Sequence, residues 1–440
     1  MASTYLSRTP SSTTNQKTFT ISVWIKKTNP TVGQWIIRAT NSSGDAGGIY
    51  FNSSLNIVLN FEISGSNIVN LPTNRVFRDV SAWYHIVLAV DTTQATDTNR
   101  IKLYVNGVQE TSFSSTLYPS QNDDLVINRN VPHFIGTDST GGARLESIMS
   151  HFHLIDGTAY PASAFGETNA ASGIWTPLAS PSVTYGTNGF FLKFASSGAL
   201  GTDSSGNSNT FTVNGPGTQT QDAPSNVFCA GNPLYRWNYN LTATNGNTSF
   251  SGSTAQWQGM SSTLGISKGK WYYEAKITSA TNINDWVFGF MGLEDYNLTN
   301  ATRNLVGHYN NDGGEIWVAD AVTNTTTTND YGTFSNGDIV GVALDYDNEL
   351  ISFYKNGTAL VTDFDYGAVG TSTTLKNGKA ITPVIVNYGS GTVSANFGNG
   401  YFGTTAVASG NADGAGYGIF EYAPPTGYYS LCTKNINTYG

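Results

Sequence analysis

The sequence predicts an all-β protein: two antiparallel sandwiches joined by a linker, with a Gly/Pro-rich C-terminal tail. Length is one reason, since at roughly 100–200 residues per domain 440 residues make two domains. Composition is another. Charged residues are 12%, about half the ~25% usual in soluble domains, while 48 Gly and an abundance of Ser, Thr and Asn favour strands and tight turns over helices. The third reason is periodicity. Short apolar stretches recur roughly every 8–15 residues, and no segment repeats with the helical period.

Along the chain, Phe19 to Ile25 alternates apolar with polar residues, the pattern of a half-buried strand. Trp83 to Asp91 is more continuously apolar and reads as a central strand. Ile101 to Val105 runs into Asn106-Gly107, which supplies the positive φ angles of a type I′ turn, so Val108 to Glu110 returns antiparallel. After a break at Gly141, Leu145 to Ile155 is a further strand, and the first sandwich covers 1–211. Polar and breaker-rich residues, Asn214-Gly215-Pro216-Gly217 among them, place a linker over 212–238.

The second sandwich covers 239–410. Lys270 to Ile277 alternates, with Trp271, Tyr273, Ala275 and Ile277 on one face. Trp286 to Gly292 is fully apolar, Asp338 to Asp345 and Leu350 to Tyr354 form a hairpin, and Asn356-Gly357 turns the chain again. Ile381 to Val386 is the last clear strand, and the tail, 411–440, is expected to dock on a neighbour through Tyr422, Tyr428 and Tyr429. The halves share a device: Ala89-Val90-Asp91 precedes Tyr104-Val105-Asn106-Gly107 as Ala343-Leu344-Asp345 precedes Tyr354-Lys355-Asn356-Gly357. Two sandwiches of related architecture would explain it.

A net charge of -9, with 21 basic residues and no Lys/Arg cluster, excludes nucleic acid as a partner. No apolar run approaches the ~20 residues of a membrane helix. Residues Met1 to Arg8 lack a basic region followed by an apolar core, so no signal peptide is expected there. Two cysteines, Cys229 and Cys432, make no disulfide framework; were they to meet, they would staple linker to tail, and two buried thiols are the default. The expectation is a soluble chain made in the cytoplasm.

Phe19–Trp24, Trp83–Asp91, Ile101–Gly107 and Leu145–Ile155 together resemble a laminin G-like, concanavalin A-type jelly roll. Lys270–Ile277, Asp338–Asp345 and Ile351–Gly357 resemble a SPRY domain, a sandwich of the same type. The stretch Asp156 to Glu167, with Asn188 to Phe194 and Asp203 to Asn207, resembles structural proteins of marine tailed phages, as does the ending Pro424 to Asn435. The resemblance implies two concanavalin A-type jelly rolls in a virion surface protein. Such a protein would be a short fibre, tail appendage or capsid-mounted decoration, made in the host cytoplasm and trimeric if fibre-like. Its partners would be other virion proteins and a host-surface glycan or protein. The sandwich pattern begins by Phe19, without the adaptor and trimerising segments of long fibres, which points to a short appendage or a head-mounted protein. A free carbohydrate-binding lectin is the alternative, and a polysaccharide depolymerase the lesser one.

No enzyme is expected. Glycoside hydrolysis needs two carboxyl groups about 5–9.5 Å apart. Asp345-Tyr346-Asp347 alternates suitably but belongs to a turn expected to be solvated, and Glu146 and Glu274 are isolated on their strands. His151 and His153, two apart on a strand, share a face but lack a third ligand, so no metal is expected. A laminin G-like rim can carry calcium; Asp123-Asp124 is the nearest candidate, equally explained as a solvated turn. For ligand binding, aromatic faces for stacking and amides for hydroxyls single out Tyr296, Tyr309, Asn310, Asn311, Asp312, Trp317 and Tyr331. Trp24, Trp83 and Trp271, inside clear strands, are expected in cores.

Overall fold

A computed structural model of the chain describes residues 4–29, 33–139, 141–170, 172–237, 240–280, 284, 286–293, 304–310, 313–319, 324–326, 330–369, 375 and 379–440. Two compact units, Met1–Gln219 and Thr220–Gly440, each enclose a core of their own.

In the first unit two antiparallel sheets face each other. One has seven strands, in spatial order Thr212–Asn214, Tyr5–Arg8, His133–Ile135, Gln34–Thr40, Ala46–Phe51, Ile57–Ile63 and Ser66–Pro72. The other has six: Phe190–Leu192, Ser147–Asp156, Thr18–Lys27, Trp83–Asp91, Ile101–Val105 and Val108–Glu110. Strand alternation sends Phe19, Ile21, Val23 and Ile25 into the shared core with Ile86, Leu88 and Val90. The half-buried reading of Phe19–Ile25 is corrected, because Thr20 and Ser22 are fully buried too. The described residues between 157 and 185 form a strap over the outer face of the six-stranded sheet. There Ala162 and Phe165 pack on Val87 and Ile155, and Thr20 Oγ1 donates to Thr158 O at 2.8 Å.

The stretch 212–238 carries a strand at each end. Thr212, Val213 and Asn214 pair with Ser7, Leu6 and Tyr5 and complete the seven-stranded sheet. Gly231–Trp237 pairs with Ser249–Ser262 in the second unit, and the units divide between Gln219 and Thr220.

In the second unit one pair of long strands, Ser249–Ser262 and Ile381–Asn396, serves both layers. The first half of Ile381–Asn396 pairs with Trp286–Gly292, and the second half with Lys270–Ala280. Between the halves the chain bends at Gly389 and Gly391, whose φ angles are 143° and 155°. One layer continues through Leu305–Tyr309, Glu315–Ala319 and Asn324–Thr326, the other through Ile339–Asp345, Leu350–Lys355 and Thr358–Asp365. Trp271, Tyr273, Ala275 and Ile277 enter the core as their alternation predicts, and Tyr273 OH donates to Gly289 O of the opposite layer at 3.0 Å.

The tail packs on its own unit. Tyr429–Ser430 runs parallel to Trp271 and Tyr272, while Phe420 and Tyr428 cover Tyr272 and Ala343. Tyr439, in the short helix Thr433–Tyr439, stacks on Tyr429 at 3.7 Å. Both cysteines are buried and free. Phe228 lies opposite Cys432, so Cys229 faces the other side of that pair and joins Leu431 in the core.

Candidate functional site

Each unit covers the outer face of one sheet with a later segment of its own chain. The strapped sheet holds the Asn-Gly hairpin in both cases. Asn106 and Gly107 have φ 49° and 82°, and Asn356 and Gly357 have φ 51° and 79°. The Asn106 Oδ1 accepts from His85 N at 2.7 Å, and the Asn356 Oδ1 from Ile339 N at 2.9 Å. A ring from a later segment closes each turn. A Cβ on Gly107 would lie 2.8 Å from the Trp175 ring, and one on Gly357 would lie 2.5 Å from that of Tyr422.

The polar anchors beneath the straps differ. In the first unit Trp175 Nε1 donates to His85 Nδ1 at 3.0 Å. Indole nitrogen only donates, so the His85 proton sits on Nε2 and is given to Ser22 Oγ at 2.9 Å. That tautomer cannot take a proton from Ser22, so the pair is not an activated nucleophile. Burial pushes the His85 pKa down to about 3. In the second unit Glu274 is fully buried and accepts from Glu421 N at 2.9 Å, Tyr422 N at 2.8 Å, Asn396 Nδ2 at 3.2 Å and Tyr272 OH at 3.3 Å. Burial raises its pKa to about 7 against the pull of those hydrogen bonds.

The other titratable candidates are engaged in holding the fold. Asp345, expected in a solvated turn, is buried and paired with Lys270 at 2.8 Å, and only Asp347 and Asn348 beside it are exposed. The Glu146 carboxylate accepts from Asn29 Nδ2 at 2.8 Å. A bulge at His151, φ 49°, interrupts the alternation on which the His151/His153 same-face argument rests. His153 is stacked on Phe191 at 3.9 Å and bonded to Tyr185 OH at 2.9 Å. Asp123 accepts from Ser120 N within its own turn at 2.7 Å. Among the described residues no group of three His, Cys, Asp or Glu side chains could hold a metal ion.

The outer face of the other layer of the second unit gathers aromatic residues over a small buried cluster of its own. Tyr309 and Trp317, on adjacent strands, have ring centroids 5.7 Å apart. Trp257 touches both, at 5.8 Å and 5.5 Å, and Tyr388 at 5.5 Å. Trp257 and Trp317 lie four strands apart in the sheet, so these contacts require a strongly curved, concave face. Its floor is Val287, Met291, Leu305, Val384 and Val386. The row Trp317, Gly307, Gly289, Val384 contains two glycines at a close approach of the strands, where a Cβ on Gly289 would fall 1.9 Å from Val306 O. Tyr388 is 38% exposed at the rim, and Trp317 Nε1 is buried without a hydrogen-bond partner among the described residues. These lining side chains are uncharged, and Glu315, in register opposite Tyr309, stands on the same side of its strand as Trp317.

Of the seven ligand candidates, Tyr296, Asn311 and Asp312 lie outside the described residues. Tyr309 and Trp317 come together in the cup. Asn310 points into the core, exchanging hydrogen bonds with Phe334 N at 2.6 Å and Phe334 O at 3.0 Å. Tyr331 packs elsewhere, against Phe364 at 6.2 Å. Sequence reasoning missed Trp257 and Tyr388; both sit on the paired long strands, in register opposite each other. Trp271 is in the core, whereas Trp24, also buried, stacks on His85 at 4.6 Å under the strap.

Residues 2–164 match a laminin G family described as the concanavalin A-like lectin/glucanases superfamily, and residues 270–400 match the SPRY domain family. No curated protein matches the chain. Among solved structures, the SPRY domain of human HERC1 is similar at 16% identity, over 38% of this chain and 96% of that one, with a TM-score of 0.31. Domains LG4-5 of the mouse laminin alpha1 chain align at 8% identity over 92% and 91%, with a TM-score of 0.30. A heptameric SAP-like pentraxin from Limulus polyphemus aligns at 16% identity over 36% and 72%, with a TM-score of 0.27. The chain carries a laminin G-like, concanavalin A-like domain and a SPRY domain, two modules of the binding and adhesion kind.

Proposed function

We propose that this chain is a non-enzymatic surface protein of a tailed-phage virion, whose second unit contacts a neutral glycan on the host surface. It would serve as a short fibre, a tail appendage or a capsid-mounted decoration, made in the host cytoplasm and assembled with other virion proteins, as a trimer if fibre-like. The aromatic cup of Trp257, Tyr309, Trp317 and Tyr388 carries the binding part of this reading. Clustered rings, tilted against one another over an apolar floor, suit the C–H face of a pyranose. The virion part is supported by the phage-like stretches Asp156 to Glu167 and Pro424 to Asn435.

Glycan-array binding of the full chain and of Tyr388→Ala and Trp257→Ala tests the cup. Recognition of a few neutral glycans, lost in both variants, is expected; binding unchanged in Tyr388→Ala, or no glycan bound at all, overturns it. Cryo-electron microscopy of purified particles tests the location. Density for the two sandwiches at tail or head supports the virion reading, and absence from the particle returns the free lectin to the front.

A further inference from the structure

The strand Thr18–Lys27 sends Phe19, Ile21, Val23 and Ile25 into the core of the first unit, and the same alternation sends Lys27 inward after them. A lysine beside apolar surface ordinarily keeps its ammonium in water. Lys27 does not, being only 1% exposed. Its Nζ lies 4.9 Å from the centre of the Phe51 ring and donates to Gln34 Oε1 at 2.9 Å. Gln34 and Phe51 are register partners in the seven-stranded sheet, so the Lys27–Gln34 contact runs from one sheet to the other.

Neither group is satisfied there. Among the described residues the Lys27 ammonium has one hydrogen-bond acceptor for its three donors, and the fully buried Gln34 holds its Nε2 without a partner. Burial pulls the Lys27 pKa down to about 8, against the opposing charge of Glu146. A neutral, nucleophilic amine is thus accessible near neutral pH. Ser147 is the register partner of Lys27, which brings Glu146 to the same edge, and Asn29 Nδ2 donates to the Glu146 carboxylate at 2.8 Å. A buried amine, an amide carbonyl at hydrogen-bond distance and a neighbouring carboxylate are the parts of an aminolysis.

We propose that Lys27 and Gln34 join in an intramolecular isopeptide bond, formed by the folded chain itself with Glu146 carrying the protons. The carboxylate takes a proton from the ammonium, and the freed electron pair on Nζ adds to Gln34 Cδ. Glu146 then moves a proton from Nζ to Nε2, the Cδ–Nε2 bond breaks, and ammonia leaves, taking the remaining proton as ammonium. Nothing is oxidised or reduced. One neutral amide replaces a buried charge and an orphaned amide nitrogen, both costly to bury. The bond ties sheet to sheet in a unit that contains no cysteine.

The test is intact-mass spectrometry and tryptic mapping of the full chain, repeated with Lys27→Met and Glu146→Gln. The unsubstituted chain is expected to be one ammonia lighter than its sequence. Trypsin should fail to cut after Lys27, and fragmentation should place the loss on a peptide closed between Lys27 and Gln34. Both variants should regain the full mass. Full mass in the unsubstituted chain, or an ammonia loss located elsewhere, such as a succinimide at Asn106-Gly107, overturns the bond. The loss persisting in Glu146→Gln overturns the proton relay. The peptide map of the unsubstituted chain decides on the bond even if a variant folds poorly.

Discussion

The two straps do the same job with opposite acid–base chemistry. In the first unit a neutral imidazole sits between Trp175 and Ser22; in the second a carboxylate gathers two backbone N–H groups of the tail. A buried histidine must stay neutral, and a buried carboxyl is easier to bury protonated. The lesson is that one architecture, strapped twice, carries anchors whose titrations act on stability in opposite directions.

The largest expected effect follows from that contrast. In the first unit burial lowers His85 to about 3 and His133 to about 4, and lowers His151 and His153 as well. Their unfolded forms take up protons near pH 6.5 that the folded unit refuses, so its stability falls as pH drops through that value. In the second unit His308, lowered by burial to about 4, acts the same way. Glu274, raised to about 7, acts oppositely: its contribution is complete below its unfolded pKa near 4.5 and is lost as pH rises through about 7. Between pH 7 and 5 the first unit should lose on the order of 1–2 kcal/mol per well-buried histidine, while in the second the two shifts offset to within about 1 kcal/mol. Scanning calorimetry at the two pH values should show the first transition moving down and the second holding. Parallel movement of both transitions breaks the comparison.

Glu274→Gln sharpens it. The second transition should then fall by about 1–2 kcal/mol between pH 7 and 5, following His308 alone. At pH 5 the variant should also be weaker by about 1–3 kcal/mol, because an amide N–H₂ would face backbone donors. A pH response identical to that of the unsubstituted chain would remove Glu274 from the account.

The smallest effect concerns the turn glycines. Gly107→Ala and Gly357→Ala each strain a positive φ and press on a capping ring, at about 1–2 kcal/mol. Hydrogen exchange should speed up in residues 157–185 for the first and 411–422 for the second. Faster exchange in both units from one substitution would contradict separate cores.

Much of the scaffold was legible because its signals are local. Asn106-Gly107 and Asn356-Gly357 encode their turns in two residues, and the alternation of Trp271, Tyr273, Ala275 and Ile277 encodes a core face. The straps were not legible: nothing near Thr20 or Ser22 announces that residues 157–185 will cover them, and polar spacing read as solvent exposure. The cup was half legible. Tyr309 and Trp317 flank one turn and meet across adjacent strands, while Trp257 reaches them only through sheet curvature, a property of many strands together. Asn310 was misplaced by one step of the alternation, which turns Tyr309 outward and its neighbour inward. The linker was read from Gly215, Pro216 and Gly217, yet the residues just before them complete a sheet.

In each unit the first and last segments are neighbours. Tyr5, Leu6 and Ser7 pair with Asn214, Val213 and Thr212, and Cys229 N donates to Leu431 O at 2.9 Å beside the Phe228–Cys432 bridge. A fold whose entry and exit lie side by side can be spliced into a surface loop of an unrelated host without stretching that loop. Each unit is thus a portable cassette, and recombination that exchanged one cassette for another would leave the recipient scaffold undisturbed.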